Sequence, residues 1–558
     1  MDKVLGSRRA LAVAIAIPLV FAALSLGLGF VTDDQGFRAV LHAGARPAWD
    51  LFGFQRGDLA ENALAIRHGH LAWWAAPDLK IHFLRPLTGI LFAADDRVFG
   101  DAALGYHVHS LLWFALLLAG VAMLYRAILP PAAATLGVAI FGLAAAHTDA
   151  FAWLSARHVL VGGAGAAWAL AIYMRAPGKR RWLGLVPLAI GLCGSEAALG
   201  AIPIWCALAI WREPAWRARL RECAPVIVLG IAYLVAYTAL GGGTRGSDGY
   251  HDPFADPLGF CALAIVRVPI LLGDAALAIP AELAFVASHA VLAIAGVVAV
   301  GVVAIAWRST RPHERLLLIL ALGGLVAVLP GVAGYPAGRV LVVPDLAFAA
   351  VLGAILARAG AASIAGKLAV GVIAVAHLVW SPLLELHDQH ALARRGRFVE
   401  RVAHDVTKVV PPGSRAIIVA ASDPFVFMYP RAVLAEESRG AVTCWSVLSA
   451  AQSRHRVTRT GERDFTVEAL DRPLLDGSFD ALFRSPDRPF SVGDTVDQCG
   501  ATIRIDALER GLPSRLAISY QRRLDDPKLA FLVWRDHHLQ RFTLPALGES
   551  IELPAFKP

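Results

Sequence analysis

Two adjacent carboxylates, Asp33 and Asp34, follow directly on an apolar run from Ala10 to Phe30. The run has about 20 residues, which at ~1.5 Å per residue is enough to cross a bilayer as a helix. Carboxylates at the end of a membrane helix are costly to desolvate, so they usually line a wet cavity or pair with cations. Adjacent like charges also raise the pKa of one member, so that one carboxyl can tune its neighbour. The plainer alternative is a solvated helix end.

Further polar side chains recur at the ends of later apolar runs, on the same predicted side of the membrane. Acids and cations alternate among them, as they would around one outer cavity. The set consists of His82, Arg85, His147, Ser155, Arg157, Glu196, Tyr335 and Arg339. Each cation also has a simpler explanation: Arg85 can cap a helix and snorkel, and His147 can be a satisfied group at a helix end. Arg157 and Arg339 can be interfacial anchors. Glu196 is harder to explain in this way, because a buried unpaired carboxylate between apolar helices is costly.

The composition is that of a polytopic membrane protein. Of 558 residues, 57% are hydrophobic and only 17% are charged, whereas soluble proteins carry about 25% charged residues. The formal net charge of +8 comes from basic residues in short loops between apolar runs, a positive-inside pattern that does not indicate nucleic-acid binding. The six cysteines include no Cys-x-x-Cys pair, which argues against a zinc or haem motif. The first apolar run lacks a small-residue cleavage site before Asp33, so we interpret it as a retained helix.

The loop charges predict about 11 transmembrane helices with the N-terminus in the cytoplasm. The densest basic loop, Arg175 to Arg181, falls inside when the spans are counted from there. A long external loop, residues 31–105, follows the first span, and its Trp73-Trp74 pair suits a helix lying in the membrane interface. We interpret the stretch 258–282, which charges and prolines interrupt, as re-entrant or interfacial. The other spans are predicted at about 106–126, 132–146, 158–174, 182–194, 197–211, 224–240, 288–307, 315–331, 341–357 and 368–384.

Residues 388–558 differ in composition and predict a soluble, extracytoplasmic mixed α/β domain, separate from a transmembrane domain of residues 1–387. A segment of about 170 residues can bury a core of its own. An amphipathic helix is predicted from Arg394 to Lys408, and β-strands are predicted at 416–420, 501–505 and 530–534. Cys444 and Cys499 are the only cysteines of this segment. On the outer side of the membrane they could form a disulfide, which their spacing alone does not decide.

Three stretches in this order resemble the GT-C glycosyltransferases: LRPLT at 84–88, GYHVHSLL at 105–112 and AHTDAFAWLSAR at 146–157. The pattern is similar in particular to the transmembrane-and-tetratricopeptide-repeat O-mannosyltransferases and their bacterial relatives, and it covers about residues 10–385. This sequence departs from the family pattern at Ser195, where a lysine is common before the glutamate, and at Asp345, where a serine is common after the proline. The tetratricopeptide repeats are absent.

The resemblance implies a glycosyltransferase that takes a sugar from a polyprenyl-phosphate donor in the bilayer and passes it to an extracytoplasmic acceptor. It implies that Asp33 is the base and that Asp34 orients the acceptor or tunes Asp33. The implied ligands of the donor phosphate are Arg85, His147, Arg157 and Arg339, because arginine suits phosphate contacts. The implied pocket residues are His82, Ser155, Glu196 and Tyr335. No metal ligands are assigned, a divalent metal is optional in this chemistry, and the expected location is the bacterial inner membrane.

Two other functions stay open at this point. A transporter or flippase for a lipid-linked sugar would use a similar cationic cavity but would not need Asp33. A non-catalytic scaffold, whose external domain binds a partner, is kept open by the departure at Ser195.

Overall fold

The computed structural model describes residues 2–311, 314–421, 425–436 and 442–555. The α-helices are Asp2–Leu5, Arg8–Ala22, Asp33–His42, Leu59–Arg67, Pro86–Phe99, Ala103–Ile128, Pro131–Gly142, Thr148–Ala152, His158–Arg175, Leu185–Gly194, Ala201–Arg212, Trp216–Ala239, Pro257–Leu277, His289–Thr310, Glu314–Ala327, Leu329–Val332, Asp345–Ala357, Ile364–Val375, Ser381–Val409, Phe425–Glu436 and Ser478–Ala481. Short 3₁₀ turns connect many of them, and the segment Ala376–Trp380 is a π-helix.

Seven of the described helical segments are long and apolar enough to cross a membrane, or eight if the bent pair Pro131–Gly142 and Ala145–Ala152 is one span. The predicted polytopic α-helical fold is confirmed in this respect, while the count of 11 stays a prediction. The predicted spans at 158–174, 182–194, 197–211 and 341–357 correspond to helices of only 10 to 18 residues. Many of their side chains are buried against other helices, so their apolar character reflects protein packing.

The stretch predicted as re-entrant or interfacial forms one continuous helix of 21 residues, Pro257–Leu277, which is long and apolar enough to span. That interpretation is therefore corrected. The polar residues that suggested a break find partners inside the protein: Arg267 donates to the carbonyls of Val332 (2.9 Å) and Gly334 (2.7 Å). The Asp274 carboxylate accepts a hydrogen bond from the N–H of Ala281 at 3.1 Å.

The first external loop is built into the C-terminal domain. Trp73 and Trp74 are each 1% exposed, and their indole N–H groups donate to the carbonyls of Leu448 (3.2 Å) and Asp480 (3.3 Å). Residues 71–76 share one hydrophobic core with strands of the C-terminal domain. The expected interfacial membrane helix at this tryptophan pair is therefore wrong, because the indoles find apolar neighbours and carbonyl acceptors within the protein.

The C-terminal domain is mixed α/β, as predicted, and contains two sheets. In the four-stranded sheet, Ser414–Ala420 pairs in parallel with both Leu529–Arg535 and Val442–Val447, and His538–Arg541 adds an antiparallel edge. The six-stranded antiparallel sheet has the order Ser550–Leu553, His455–Arg459, Asp464–Ala469, Leu512–Tyr520, Ala501–Glu509, Thr495–Gln498. All three predicted strands fall within these elements. Cys444 and Cys499 form a disulfide, with Cα atoms 5.6 Å apart.

The membrane part and the C-terminal domain are joined by helix. The segment Ile364–Val409 continues over 46 residues, and the predicted helix from Arg394 to Lys408 is its last part. The division at residue 387 lies within this segment and stays a prediction. Helix Phe425–Glu436 packs on Ser381–Val409 and also on Asp33–His42, which begins at the paired carboxylates. A third, small sheet of Gly53–Arg56, Lys80–His82 and Gly243–Arg245 stabilises the external loops beside it.

Candidate active site

The turn at the exit of the first span is held by Asp34, which is completely buried. One carboxylate oxygen accepts from the backbone N–H of Val31 (2.8 Å), and the other accepts from the backbone N–H (2.7 Å) and the hydroxyl of Ser155. Burial raises the pKa of Asp34 to about 7, although these hydrogen bonds lower it. Thr32 adopts a φ of +46° in the same turn, where a β-branched residue is strained. Backbone strain of this kind clusters at functional sites.

Asp33 begins helix Asp33–His42 and is partly exposed. The hydroxyl of Tyr429 donates a hydrogen bond to its carboxylate. Within the described part of the chain, Asp33 forms no ion pair. Burial raises the pKa of Asp33 to about 6, whereas the Tyr429 hydrogen bond and the charge of Arg339 lower it. A partly exposed carboxyl with a pKa close to neutrality can accept a proton from a bound hydroxyl.

Arg339 lies on a 3₁₀ turn, Gly338–Leu341, that packs closely on another segment. A Cβ at Gly338 would lie 2.6 Å from the Cα of Ala146, so this approach requires glycine. Arg339 donates from Nη1 to the Asp149 carboxylate at 3.1 Å, and its guanidinium lies 5.5 Å from the centre of the Trp153 ring. The side chain is still 26% exposed. Its other nitrogens make no hydrogen bond to any described residue, so donors remain for an anion.

Arg85 and Glu196 form a bidentate ion pair, in which Nε donates to one carboxylate oxygen at 2.8 Å and Nη2 donates to the other. The guanidinium also lies 4.4 Å from the centre of the Phe83 ring. The cation beside Glu196 is therefore Arg85 of the first external loop. Ser195, where a lysine is common in the resembling family, makes a 2.9 Å hydrogen bond with Nδ1 of His158. The departure at Ser195 thus leaves Glu196 paired.

The predicted pocket residues His82 and Tyr335 each have partners of their own. Nε2 of His82 forms a 2.8 Å hydrogen bond with the Asp50 carboxylate, which fixes the end of strand Lys80–His82. The Tyr335 ring packs against Phe285, with ring centres 5.0 Å apart, and Arg267 lies 6.0 Å from its centre. Both are held in place by neighbours of their own, as wall residues of a pocket would be.

The pKa of the Tyr250 phenol responds to the charges of several of these groups. Burial raises the pKa of its phenol above the ordinary value, and the charges of Arg339 and Arg85 lower it. The charges of Asp33 and Glu196 raise it further. Four of the residues singled out in the sequence therefore lie within electrostatic reach of one phenol, although they come from four separate segments.

All four predicted donor ligands have internal partners. Arg85 pairs with Glu196 through two nitrogens and Arg339 pairs with Asp149 through one, and the other two are buried with theirs. Arg157 is 1% exposed; its Nη1 pairs with Asp95, and its Nε donates to the Ser110 hydroxyl at 2.8 Å. His147 is completely buried, with Nε2 at 3.0 Å from the Asp345 carboxylate. Arg157 and His147 are therefore both engaged inside the protein, and their expected role as ligands of the donor phosphate stays a prediction. A charge in a low-dielectric interior needs a counterion, and helix neighbours provide it.

Sequence reasoning missed Tyr250 and Tyr429. Each is a single tyrosine without a motif around it, and Tyr429 belongs to the C-terminal domain, so no local signal pointed to the exit of the first span. As for an optional metal, the described residues contain no group of three or more His, Cys, Asp or Glu side chains arranged as metal ligands.

No family model matches the sequence, and no curated protein matches it. Among solved structures, the chain is similar to the Archaeoglobus fulgidus oligosaccharyltransferase tethered to an acceptor peptide (TM-score 0.39, 12% identity, covering 79% of this chain and 64% of that one). It is similar to ArnT from Cupriavidus metallidurans bound to undecaprenyl phosphate, with a TM-score of 0.40 and 14% identity, over 78% of this chain and 89% of that one. It is also similar to the mycobacterial arabinofuranosyltransferase AftD, with a TM-score of 0.35 and 15% identity, over 92% of this chain and 41% of that one.

The chain spans less than two thirds of the length of the oligosaccharyltransferase and less than half of AftD. All three TM-scores lie below 0.5.

Proposed function

We propose that this chain is a GT-C-type integral membrane glycosyltransferase, which moves a sugar from a polyprenyl-phosphate donor to an extracytoplasmic hydroxyl. The observation that carries the proposal is the contrast between Asp33 and five other acids of residues 1–387. Among the described residues Asp33 forms no ion pair, whereas internal ion pairs hold the carboxylates of Asp50, Asp95, Asp149, Glu196 and Asp345. A carboxylate that forms no ion pair, is partly exposed and has a pKa close to neutrality has the properties of a general base.

In the proposed reaction the acceptor hydroxyl gives its proton to Asp33 while its oxygen forms a bond to the anomeric carbon of the donor sugar. The bond between that carbon and the phosphate oxygen breaks, and the polyprenyl phosphate leaves with the bonding electrons. The base is needed because the pKa of an alcohol is far too high for attack at neutral pH.

The developing charge on the leaving phosphate needs a cation held in advance of the reaction. Arg339 is our candidate, because its guanidinium is tied to Asp149 through only one nitrogen and its side chain is 26% exposed. Its charge also acts on Asp33, so the base and the cation lie near one another. We assign Arg85, Glu196, His82 and Tyr335 to the walls of the pocket, and Asp34 with Ser155 to the support of the Asp33 turn.

We further propose that the site and the C-terminal domain lie on the extracytoplasmic side of a bacterial inner membrane, with the N-terminus in the cytoplasm. The disulfide between Cys444 and Cys499 supports this orientation, since such bonds persist in oxidising compartments. The basic loop from Arg175 to Arg181 supports it as well, because positive loops face the cytoplasm.

The test is the Asp33→Asn variant. Purified protein would receive a panel of radiolabelled sugars on undecaprenyl phosphate together with an envelope extract as the acceptor source, and binding of undecaprenyl phosphate would be followed by thermal shift. We expect transfer to fall by about 10²- to 10⁴-fold, the contribution of a positioned base, while the lipid still binds. The matched control is Asp536→Asn on an exposed turn of the C-terminal domain, which should transfer at the wild-type rate.

Arg339 gives a second, independent test. Arg339→Gln should weaken binding of undecaprenyl phosphate, and Arg339→Lys should be intermediate, because lysine keeps the charge without the planar fork of donors.

The two rival functions predict different outcomes. A flippase would keep moving lipid-linked sugar across vesicles when Asp33 is replaced by asparagine. A scaffold would show neither transfer nor transport in the wild-type chain. Wild-type rates of transfer in the Asp33→Asn variant would contradict the proposal.

A further inference from the structure

The C-terminal domain packs on the part of the site that contains Asp33. Helix Phe425–Glu436 of that domain packs on helix Asp33–His42, and Tyr429 lies in the contact with only 7% of its surface exposed. Its ring stacks on that of Phe425 at 5.7 Å between centres, and Arg395 lies 5.0 Å from the centre of the Phe425 ring. The phenol is therefore fixed from its own helix and from helix Ser381–Val409, with its hydroxyl on the Asp33 carboxylate.

We propose that Tyr429 is a positioning residue for Asp33, supplied by the C-terminal domain, so that the transfer site is complete only when this domain is docked on the membrane part. The inference rests on the proposed function, in which Asp33 is the base. A carboxylate has two oxygens, and a donor fixed on one of them orients the other. In this arrangement the Tyr429 hydroxyl occupies one acceptor position and leaves the remaining ones for the hydroxyl that is to be deprotonated.

The groups that act on Asp33 come from several elements. On its own helix the neighbouring charged groups are Asp34, whose pKa Asp33 raises, and Arg38, which pairs with Asp96. Arg339 acts from the Gly338–Leu341 turn and Tyr429 from helix Phe425–Glu436. Asp33 in turn raises the pKa of Tyr250, in the loop after strand Gly243–Arg245, and Arg395 of helix Ser381–Val409 acts on Tyr429. Of these groups, Tyr429 is the one whose hydrogen bond to Asp33 can be deleted without removing a charge.

The direction of the effect follows from the hydrogen bond. A donor to the charged form of a carboxyl lowers its pKa, so removal of the Tyr429 hydroxyl raises the pKa of Asp33. The base acts in its deprotonated form, and a higher pKa moves the acid limb of the rate profile to higher pH. A neutral hydrogen bond corresponds to a shift of about 0.5 to 1 pH unit. We therefore expect Tyr429→Phe to slow transfer by about 3- to 10-fold at pH 5 and much less at pH 8.

The experiment measures the pH dependence of transfer for the full chain carrying Tyr429→Phe, with Tyr520→Phe as the matched control. Tyr520 is also buried in the C-terminal domain, where it packs against Phe465 and Phe531. The control should keep the wild-type profile. An unmoved profile in Tyr429→Phe, together with loss of transfer in Asp33→Asn, would overturn this inference and leave the proposed function intact. Transfer that survives in Asp33→Asn would overturn the proposed function itself.

A double-mutant cycle on thermal stability covers the case in which Tyr429→Phe folds poorly. The cycle uses Asp33→Ala, because alanine removes the acceptor that asparagine would keep. If Tyr429 acts through Asp33, the stability changes of Tyr429→Phe and Asp33→Ala should be non-additive, as for residues in direct contact. Strict additivity of the two changes would show that the phenol does not act on the carboxylate, and the inference would fail.

Discussion

If Asp33 is kept for catalysis, its charge should lower the stability of the folded protein, and removing the charge should stabilise it. Burial raises the pKa of Asp33 from 3.8 to about 6. The folded state thus holds the proton more tightly than the unfolded state does. The stability that the protonated Asp33 contributes is fully present below pH 3.8 and is lost as the pH rises through about 6. Above that pH the wild-type chain bears the whole cost of the buried charge, and an Asp33→Asn chain bears none of it.

The magnitude follows from the same shift. About two pKa units correspond to roughly 3 kcal/mol as an upper bound. Partial exposure of the side chain and its place in the first turn of helix Asp33–His42 both reduce this figure, because solvent screens the charge and the helix N-terminus favours it. We expect Asp33→Asn to be more stable than the wild type by about 1–2 kcal/mol at pH 8. The amide oxygen of asparagine still accepts from the Tyr429 hydroxyl, so no new unsatisfied donor opposes the gain.

The neighbouring carboxylate provides the matched control. Asp34 accepts from the N–H of Val31 and from the N–H and hydroxyl of Ser155. Asparagine at position 34 can accept on one oxygen only, and its NH₂ group would face one of these donors. Both variants remove a buried charge. The free energy of unfolding of Asp34→Asn should therefore be lower than that of Asp33→Asn by about 1–3 kcal/mol for each donor left unsatisfied.

The assay is the thermal unfolding midpoint of the detergent-solubilised chain at pH 4 and at pH 8. We expect the midpoint of Asp33→Asn to exceed that of the wild type at pH 8 and to approach it at pH 4. A variant that is less stable than the wild type at both pH values would refute the reasoning, because it would show that the Asp33 carboxylate is a structural cap and leave the proposed base without its physical basis.

Two further predictions concern the support of the site. Arg85→Met should destabilise the chain by roughly 3 kcal/mol, because it leaves Glu196 without its bidentate partner. The double variant Arg85→Met with Glu196→Met should recover part of this loss, as measured by thermal unfolding in detergent. Equal losses of stability in the single and the double variant would speak against the pair. Replacing both Cys444 and Cys499 by serine should lower the free energy of unfolding by about 4 kcal/mol, for a sequence separation of 55 residues, as measured by denaturant unfolding. Thiol alkylation of the unreduced wild-type chain at either position would show instead that the disulfide does not form.

The sequence allowed prediction of features that depend on local pattern. An apolar run of sufficient length followed by two carboxylates predicted both the first span and the polar turn at its end, because length and polarity decide that outcome by themselves. The strands around Ile417, Ile503 and Leu532 were predictable for a similar reason, since short β-branched and apolar runs between turn residues favour strands.

Features that depend on distant segments could not be predicted in this way. The Trp73-Trp74 pair has the composition of a membrane-interface anchor, yet its partners lie nearly 400 residues away in the C-terminal domain. Arg157 was assigned to the donor phosphate because the resemblance and the chemistry of arginine favour that role, whereas helix Pro86–Phe99 brings Asp95 to it. Composition alone does not show whether a polar residue finds its partner within the protein.

The alternation of acids and cations along these helix ends therefore serves architecture first. The pairs Arg85–Glu196, Arg339–Asp149 and His147–Asp345 each join segments more than 100 residues apart in the chain. Such pairs fix the guanidinium and imidazole groups, because a buried partner left alone would be strongly destabilising. A cation that is already fixed has less freedom to swing onto Asp33. If Arg339 were to close a direct ion pair with Asp33, the pKa of that carboxyl would fall and the carboxylate would lose its ability to take a proton near neutrality. The fixed pairs around Asp33 are therefore a condition for the base that we propose, even though none of them takes a proton itself.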